Sequence, residues 1–447
     1  MKHYEAYKDS GIKWIGKIPK HWVVNKFGRS AFFQEGPGLR RWQFTDKGIK
    51  VICVTNIVPP VIDFSKMIKY ISKEEYEESY KHFKVNKGDI MLASSGASWG
   101  KVAEYVNDET VILNTSTIRL NENDDKVLEK EFMKWLIMSP YISENLNILL
   151  TGSCQPNFGP THLNKLVCVY PKSKSEQTQI AKYLDKKTAQ IDELIANKEQ
   201  LIQLLAEERA AIINEAVTKG LNPDAPMKNS GIDWLGEIPE HWKNNRIDWI
   251  AKLIRGNTGL KKDELLNEGE YVALQYGKTY KINEVDDTFN YYVNSEYFKE
   301  NQIVNFGDTI FISTSETIED LGHSCYYNRN DLGLIGGEQI LLKPDSRFIF
   351  NKYLYYYSKK MGSILQRYAK GLKVFRFKID DLKQVSIPLP PIQEQVEIVK
   401  HLDSEMMRIR SLKKLYKKEI KLLKEYKTTL ISDVVTGKID VREEVLN

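Results

Sequence analysis

Cysteine is scarce in this 447-residue chain: there are four, at Cys53, Cys154, Cys168 and Cys325, and none forms a C-x-x-C pair. That spacing excludes a disulfide-dense secreted fold and a zinc finger or knuckle, and it fits a reduced, cytoplasmic compartment. No run approaches the roughly 18 consecutive apolar residues a membrane helix needs. Met1-Lys2-His3-Tyr4-Glu5 also lacks the apolar core of a signal peptide, so neither membrane insertion nor secretion is expected. A dominant charge sign is missing too. The net charge of +5 divides as +4 over residues 1–171, 0 over 172–220, −1 over 221–391 and +2 over 392–447. No segment is a polycation, so any nucleic-acid binding must use local patches or share the electrostatic load with a partner. The 42% hydrophobic and 28% charged residues are those of a folded chain. Its length allows two to four domains at roughly 100–200 residues each.

Catalytic motifs are also lacking. Gly96-Ala97-Ser98-Trp99-Gly100-Lys101 is one residue short of a phosphate loop and has Val102 where a magnesium-binding hydroxyl belongs, so it reads as a turn after a strand. Gly36-Pro37-Gly38 has no third glycine opening a helix, as a dinucleotide site requires. None of the seven histidines forms H-E-x-x-H. His21 and His241 both sit in I-P-x-H-W and read as packed structural histidines. No N-P-P-[YF] segment is present to hold a flipped base, and Asp381-Leu382-Lys383 stands alone rather than in an acidic two-metal cluster. The chain is expected to catalyse nothing and to bind no metal or cofactor itself.

What is present is one plan written twice. Residues 7–22, YKDSGIKWIGKIPKHW, match residues 227–242, MKNSGIDWLGEIPEHW, at ten of sixteen positions. EQTQIAKYLDKKTAQIDELI from Glu176 is echoed by EQVEIVKHLDSEMMRIRSLK from Glu394. Between these anchors only fragments recur, among them Val85-Asn86-x-Gly88-Asp89 beside Val304-Asn305-x-Gly307-Asp308.

The segment after each variable body reads as a long helix. Ile180, Leu184, Ile191, Leu194, Leu201, Leu205 and Ile212, with Lys187, Lys198 and Glu208 filling the polar slots between them, recur at alternating steps of four and three, and Ile398, Leu402, Ile409, Leu412, Tyr416, Leu423, Tyr426 and Leu430 fall on the same repeat in the second copy. A 3.5-residue repeat over about five heptads predicts a coiled coil, about 65 Å long at about 1.5 Å per residue. Pro171 and Pro388-Leu389-Pro390-Pro391 bar an earlier start, and Gly220 and Gly437 end the two segments. The second motif follows helix one within about ten residues, which under a two-fold relation brings the first motif to the end of helix two. The helices are then antiparallel. The expected fold is α+β: two pseudo-symmetric mixed α/β bodies (1–171 and 221–391) joined by helices over 172–220 and 392–447. Strands are predicted at 51–54, 89–92, 309–312 and 340–342, and helices starting at 131–136 and 352–355.

Each body carries polar, basic or glycine-rich loops suited to phosphates or base edges. In body one the candidates are Arg40, Arg41, Ser95, Ser98, Trp99, Lys101, Gln155 and Asn157. In body two they are Arg255, Asn257, Thr258, Ser313, Thr314, Ser315, Lys370, Lys373, Arg376 and Lys378.

The S-G-I-x-W-[IL]-G-x-I-P-x-H-W opening, V-N-x-G-D, I-P-L-P-P-I-x-E-Q and D-V-V-T-G-K-I-D-V ending closely resemble the specificity subunit of type I restriction–modification enzymes, along essentially the whole chain. Copy one departs from that pattern with Tyr170-Pro171-Lys172-Ser173-Lys174-Ser175-Glu176-Gln177. The resemblance implies two target-recognition domains, each reading one half of a split double-stranded DNA site, on a scaffold that docks two methyltransferase subunits and recruits restriction subunits. S-adenosylmethionine, ATP and magnesium would then lie on those partners. The alternative from another class is a coiled-coil adaptor with two protein-binding heads.

Overall fold

The computed structural model describes residues 2–13, 15–123, 125–149, 157–232 and 234–444. Cys154 and Gln155 lie outside them. The chain divides into two compact units, 1–199 with 417–447, and 200–416. Each unit therefore holds one body together with a stretch of each long helix.

The two bodies share a sheet plan. In the first, a six-stranded sheet begins Ala31–Glu35, Thr117–Glu122, Ile90–Ala93, Val102–Glu104 in spatial order, beside a four-stranded sheet with Ile49–Ile52 and Val111–Leu113 parallel at its centre. In the second, a five-stranded sheet begins Ala251–Arg255, Gln339–Pro344, Thr309–Ile312, Ser324–Tyr327, beside a four-stranded sheet centred on the parallel pair Tyr271–Leu274 and Gly333–Ile335. The predicted strands fall in these sheets except at Cys53 and Val54, which lead into a 3₁₀ turn, Val54–Asn56, and at Asp89, which precedes the strand Ile90–Ala93. Side chains between the two sheets of each body form its core: Ile52, Val85, Met91 and Leu113 in one, Val272, Ile310, Tyr327 and Leu341 in the other. The V-N-x-G-D turns feed the central strands. Asp89 and Asp308 each accept the backbone N–H three residues earlier at 2.8 Å, and Gly88 and Gly307 sit at φ +86° and +91°. Burial raises both aspartates above the usual carboxylate range.

The long helices run Lys174–Lys219 and Ile392–Val435, each ending in a glycine at positive φ. They pack antiparallel in each unit. In the first, Asp192 pairs with Lys427 and Lys198 with Glu419, both at 2.6 Å; in the second, Glu208 pairs with Arg408 at 2.5 Å. Ile180, Leu184, Ile191, Leu205, Ile398, Leu402, Ile409 and Leu430 are buried, and Ile212, Leu412 and Leu423 are half-buried. Leu194 and Leu201, expected in the seam, are instead 49% and 40% exposed. The buried line runs through Ile191, Ile195, Leu205, Ile213 and Val217, because a helix near 3.6 residues per turn drifts about 20° per heptad from a strict 3.5 repeat.

The recurring motifs meet at a latch. In the first unit the Glu176 carboxylate accepts from Tyr4 Oη (2.9 Å) and Trp22 Nε1 (2.9 Å) and contacts His21 Nε2 (2.8 Å). In the second, Glu394 accepts from Trp242 Nε1 (3.0 Å) and contacts His241 Nε2 (2.7 Å). His21 and His241 are thus structural, but half-exposed rather than packed away. Gln177 and Gln395 complete each latch by bonding the backbone at Pro171 and Pro390, where the chain enters the helix. A Cβ on Gly437 would stand 2.5 Å from Pro19, and one on Gly220 3.2 Å from Trp242. The end of each helix therefore abuts the motif of its own unit, and Asp440 N–H donates to Lys2 O at 2.9 Å.

Candidate nucleic-acid interface

Strand ends converge at one edge of each body on a shared backbone frame. In the first, Gly36 N–H donates to Thr117 O (3.1 Å), Ser94 N–H to Ser116 O (3.0 Å) and Phe158 N–H to Ser94 O (3.1 Å). In the second, Gly256 N–H donates to Gln339 O (2.9 Å), Ser313 N–H to Glu338 O (3.1 Å) and Phe377 N–H to Ser313 O (3.2 Å). Ser95 bridges Asn157 as Thr314 pairs with Arg376, and Ser116 and Glu338 both hold φ +62°. The glycines are obligatory: a Cβ would lie 2.2 Å from Asn114 O at Gly36 and 1.9 Å from Gly336 O at Gly256.

Side chains on this constant frame differ between the bodies. Glu35, Ser95, Ser116 and Asn157 in the first stand where Arg255, Thr314, Glu338 and Arg376 stand in the second. In the second body they border an open cleft of about 410 Å³ that also takes in Ser313 and Lys370. Thr314 Oγ1 donates to Glu338 Oε2, and Arg376 lies 3.7 Å from Glu338 Oε1.

Beside the cleft, residues 370–376 form a hairpin closed by Lys370 N–H to Arg376 O (2.9 Å) and Arg376 N–H to Lys370 O (3.0 Å). Lys370, Lys373, Arg376 and Lys378 are all exposed on or next to it, and Leu372 at its tip is 100% exposed. The corresponding stretch of the first body includes 150–156, outside the described residues. This arrangement offers cations for phosphates beside donors and acceptors for base edges.

The remaining candidates divide by burial. Arg40 and Arg41 are exposed beside Trp42, itself 80% exposed; Lys101, Asn157, Arg255 and Asn257 are exposed, Asn257 being held by Lys299 at 2.9 and 3.1 Å. Ser95 and Ser98 are half-buried, and Trp99 packs edge-on against Phe158 at 5.6 Å. Thr258 and Ser315 correct the expectation from sequence. They are 1% and 0% exposed, so they brace the loops from behind: the Thr258 backbone carbonyl accepts Gly337 N–H, and Ser315 Oγ accepts Thr317 N–H. Glu35, Ser116 and Glu338 lie on the same frame, although the loops singled out in the sequence do not include them. The detectable signal was their place at the end or start of a strand.

Burial pushes the Cys168 and Cys325 thiols up to about 12, and among the described residues no group of three or more His, Cys, Asp or Glu side chains is placed to hold a metal ion. Among the described residues no helix is long and apolar enough to cross a membrane.

The family model for the type I restriction modification DNA specificity domain matches residues 32–204 and 239–422. The chain is 27% identical over 450 residues to the MjaX protein of Methanocaldococcus jannaschii, described as a type I restriction enzyme specificity subunit, covering 98% of this chain and 99% of that one. The EcoKI specificity subunit of Escherichia coli is 23% identical over 208 residues, 46% of this chain and 44% of its own. In fold, a chain from a type I restriction–modification assembly superposes with a TM-score of 0.71 at 16% identity, over 94% of this chain and 99% of its own. The HsdS subunit of Thermoanaerobacter tengcongensis gives a TM-score of 0.56, also at 16% identity, over 94% and 98%. With the family model matched in both repeats, the chain belongs to the type I restriction–modification DNA specificity family.

Proposed function

We propose that the chain is the non-catalytic recognition subunit of a type I restriction–modification complex, in which each unit reads one half of a bipartite DNA site. The observation that carries this is one strand-end frame built twice and furnished with different side chains, as two unlike half-sites require. The long helices set the unread spacer and dock the methyltransferase subunits. Met407, Leu415, Leu422 and Tyr426 support the docking role, being 45–69% exposed along helix two where apolar side chains await cover. S-adenosylmethionine, ATP and magnesium are assigned to the partner subunits, and the complex is assigned to the cytoplasm.

The test is co-expression with methyltransferase subunits, followed by mapping of methylated sites and of salt-dependent retention on duplex DNA. A split asymmetric motif that appears only with this chain is the expected result. Retention of proteins but not of duplex would favour the adaptor, and methyl transfer by the chain alone would refute the non-catalytic assignment.

A further inference from the structure

We infer that Glu338 and Arg376 together read one base pair of the half-site bound by the second unit, and that this pair is C·G. The inference rests on the DNA-recognition reading above and names residues within it. Glu338 occupies a left-handed conformation, φ +62°, that non-glycine residues seldom adopt. Its counterpart Ser116 has the same φ, so the backbone belongs to the frame while the side chain is free to differ. The half-exposed ion pair with Arg376 at 3.7 Å adds little stability, so that pairing does not by itself account for the glutamate.

The carboxylate is oriented. Thr314 donates to Oε2, and Oε1 faces the Arg376 guanidinium, with the two side chains 45% and 62% exposed at the mouth of the cleft. An acceptor is thereby held next to a donor fork. In the major groove a C·G pair offers the complement: the cytosine N4 amino group beside guanine O6 and N7. Glu338 accepts from cytosine while Arg376 donates to guanine. At the matching places the first body carries Ser116 and Asn157, a pairing without a formal charge and with an amide suited to adenine. Exchange of these side chains on one frame lets the units prefer different bases without rebuilding either fold.

Glu338→Gln tests this in the full chain co-expressed with methyltransferase subunits. The substitution is isosteric and keeps an acceptor for Thr314. Mapping of methylated sites should show discrimination for C·G falling about tenfold or more at one position of one half-site. The other half-site and the spacer should be unchanged, and Arg376→Gln should act at that same position. An unaltered motif, a change in both halves, or uniform loss of methylation by an assembled complex would each overturn the inference. The broader reading fails in a separate way, if the wild-type complex yields no split motif that depends on this chain.

Discussion

The latch between motif and helix is unequal in the two units, and removing its carboxylates should expose the difference. Glu176 satisfies two buried donors, the Tyr4 hydroxyl and the Trp22 indole N–H, from side chains 5% and 0% exposed. Its neighbour His21 is half-exposed and can turn to water. Glu394 satisfies one buried donor, the indole N–H of Trp242, while His241 is likewise half-exposed. A buried donor left without a partner costs about 1–3 kcal/mol. Glu176→Ala should therefore destabilise its unit by about 4 kcal/mol, and Glu394→Ala its own by about 2 kcal/mol. Relief of the carboxylate's own desolvation trims both figures, and more so for Glu176, whose side chain is 6% exposed against 26% for Glu394. Urea unfolding followed by tryptophan fluorescence reads the effect, with hydrogen exchange at Tyr7–Asp9 and Met227–Asn229 assigning it to a unit. Glu176→Gln, which retains an acceptor, should recover part of the loss. Equal effects within about 0.5 kcal/mol, or a larger loss at Glu394, would refute the assignment of two stranded donors to one latch and one to the other.

Three further outcomes follow from the same geometry. Neutralising Lys370, Lys373 and Lys378 should weaken duplex binding at all sequences and reduce the slope of log affinity against log salt by up to about three, since phosphate contacts release counterions; filter binding across salt concentrations measures it. Four residues inserted near Lys198 add about 6 Å of helix, nearly two base-pair steps of about 3.4 Å, so the methylated motif should gain a spacer longer by one to two base pairs with both half-sites intact. Burial first, then the neighbouring Lys359 charge, pushes His323 down from 6.5 to about 4, with Arg209 acting in the same direction and Asp320 against it. The fold therefore holds His323 neutral. Its contribution is present above pH 6.5 and is lost as pH falls through 4, approaching about 3 kcal/mol at 1.36 kcal/mol per pKa unit. Urea midpoints should drop over this window in the wild type and change less in His323→Asn; parallel curves would count against the assignment.

The sequence by itself determined the repeat, the two long helices with their glycine ends and the alternation of constant and variable segments. These are local or periodic signals, and periodicity survives without knowledge of contacts. Polar loops were legible as candidates for the same reason, but their ranking was not. Thr258 and Ser315 look like Asn257 in the chain, yet Thr258 is bridged to Gly336 and Ser315 paired with Phe375, and both are closed off from solvent. Leu194 and Leu201 keep the heptad in sequence while the helix turns them outward. Only the tertiary structure decided which strand ends share an edge, because Ala31–Glu35 pairs with Thr117–Glu122 and Ala251–Arg255 with Gln339–Pro344 across some 80 intervening residues. That non-local pairing sets Glu338 between Thr314 and Arg376 and places Ser116 at the same point of the first frame. Side-chain identity is written in the chain; the company each side chain keeps at a strand end is fixed when distant strands meet.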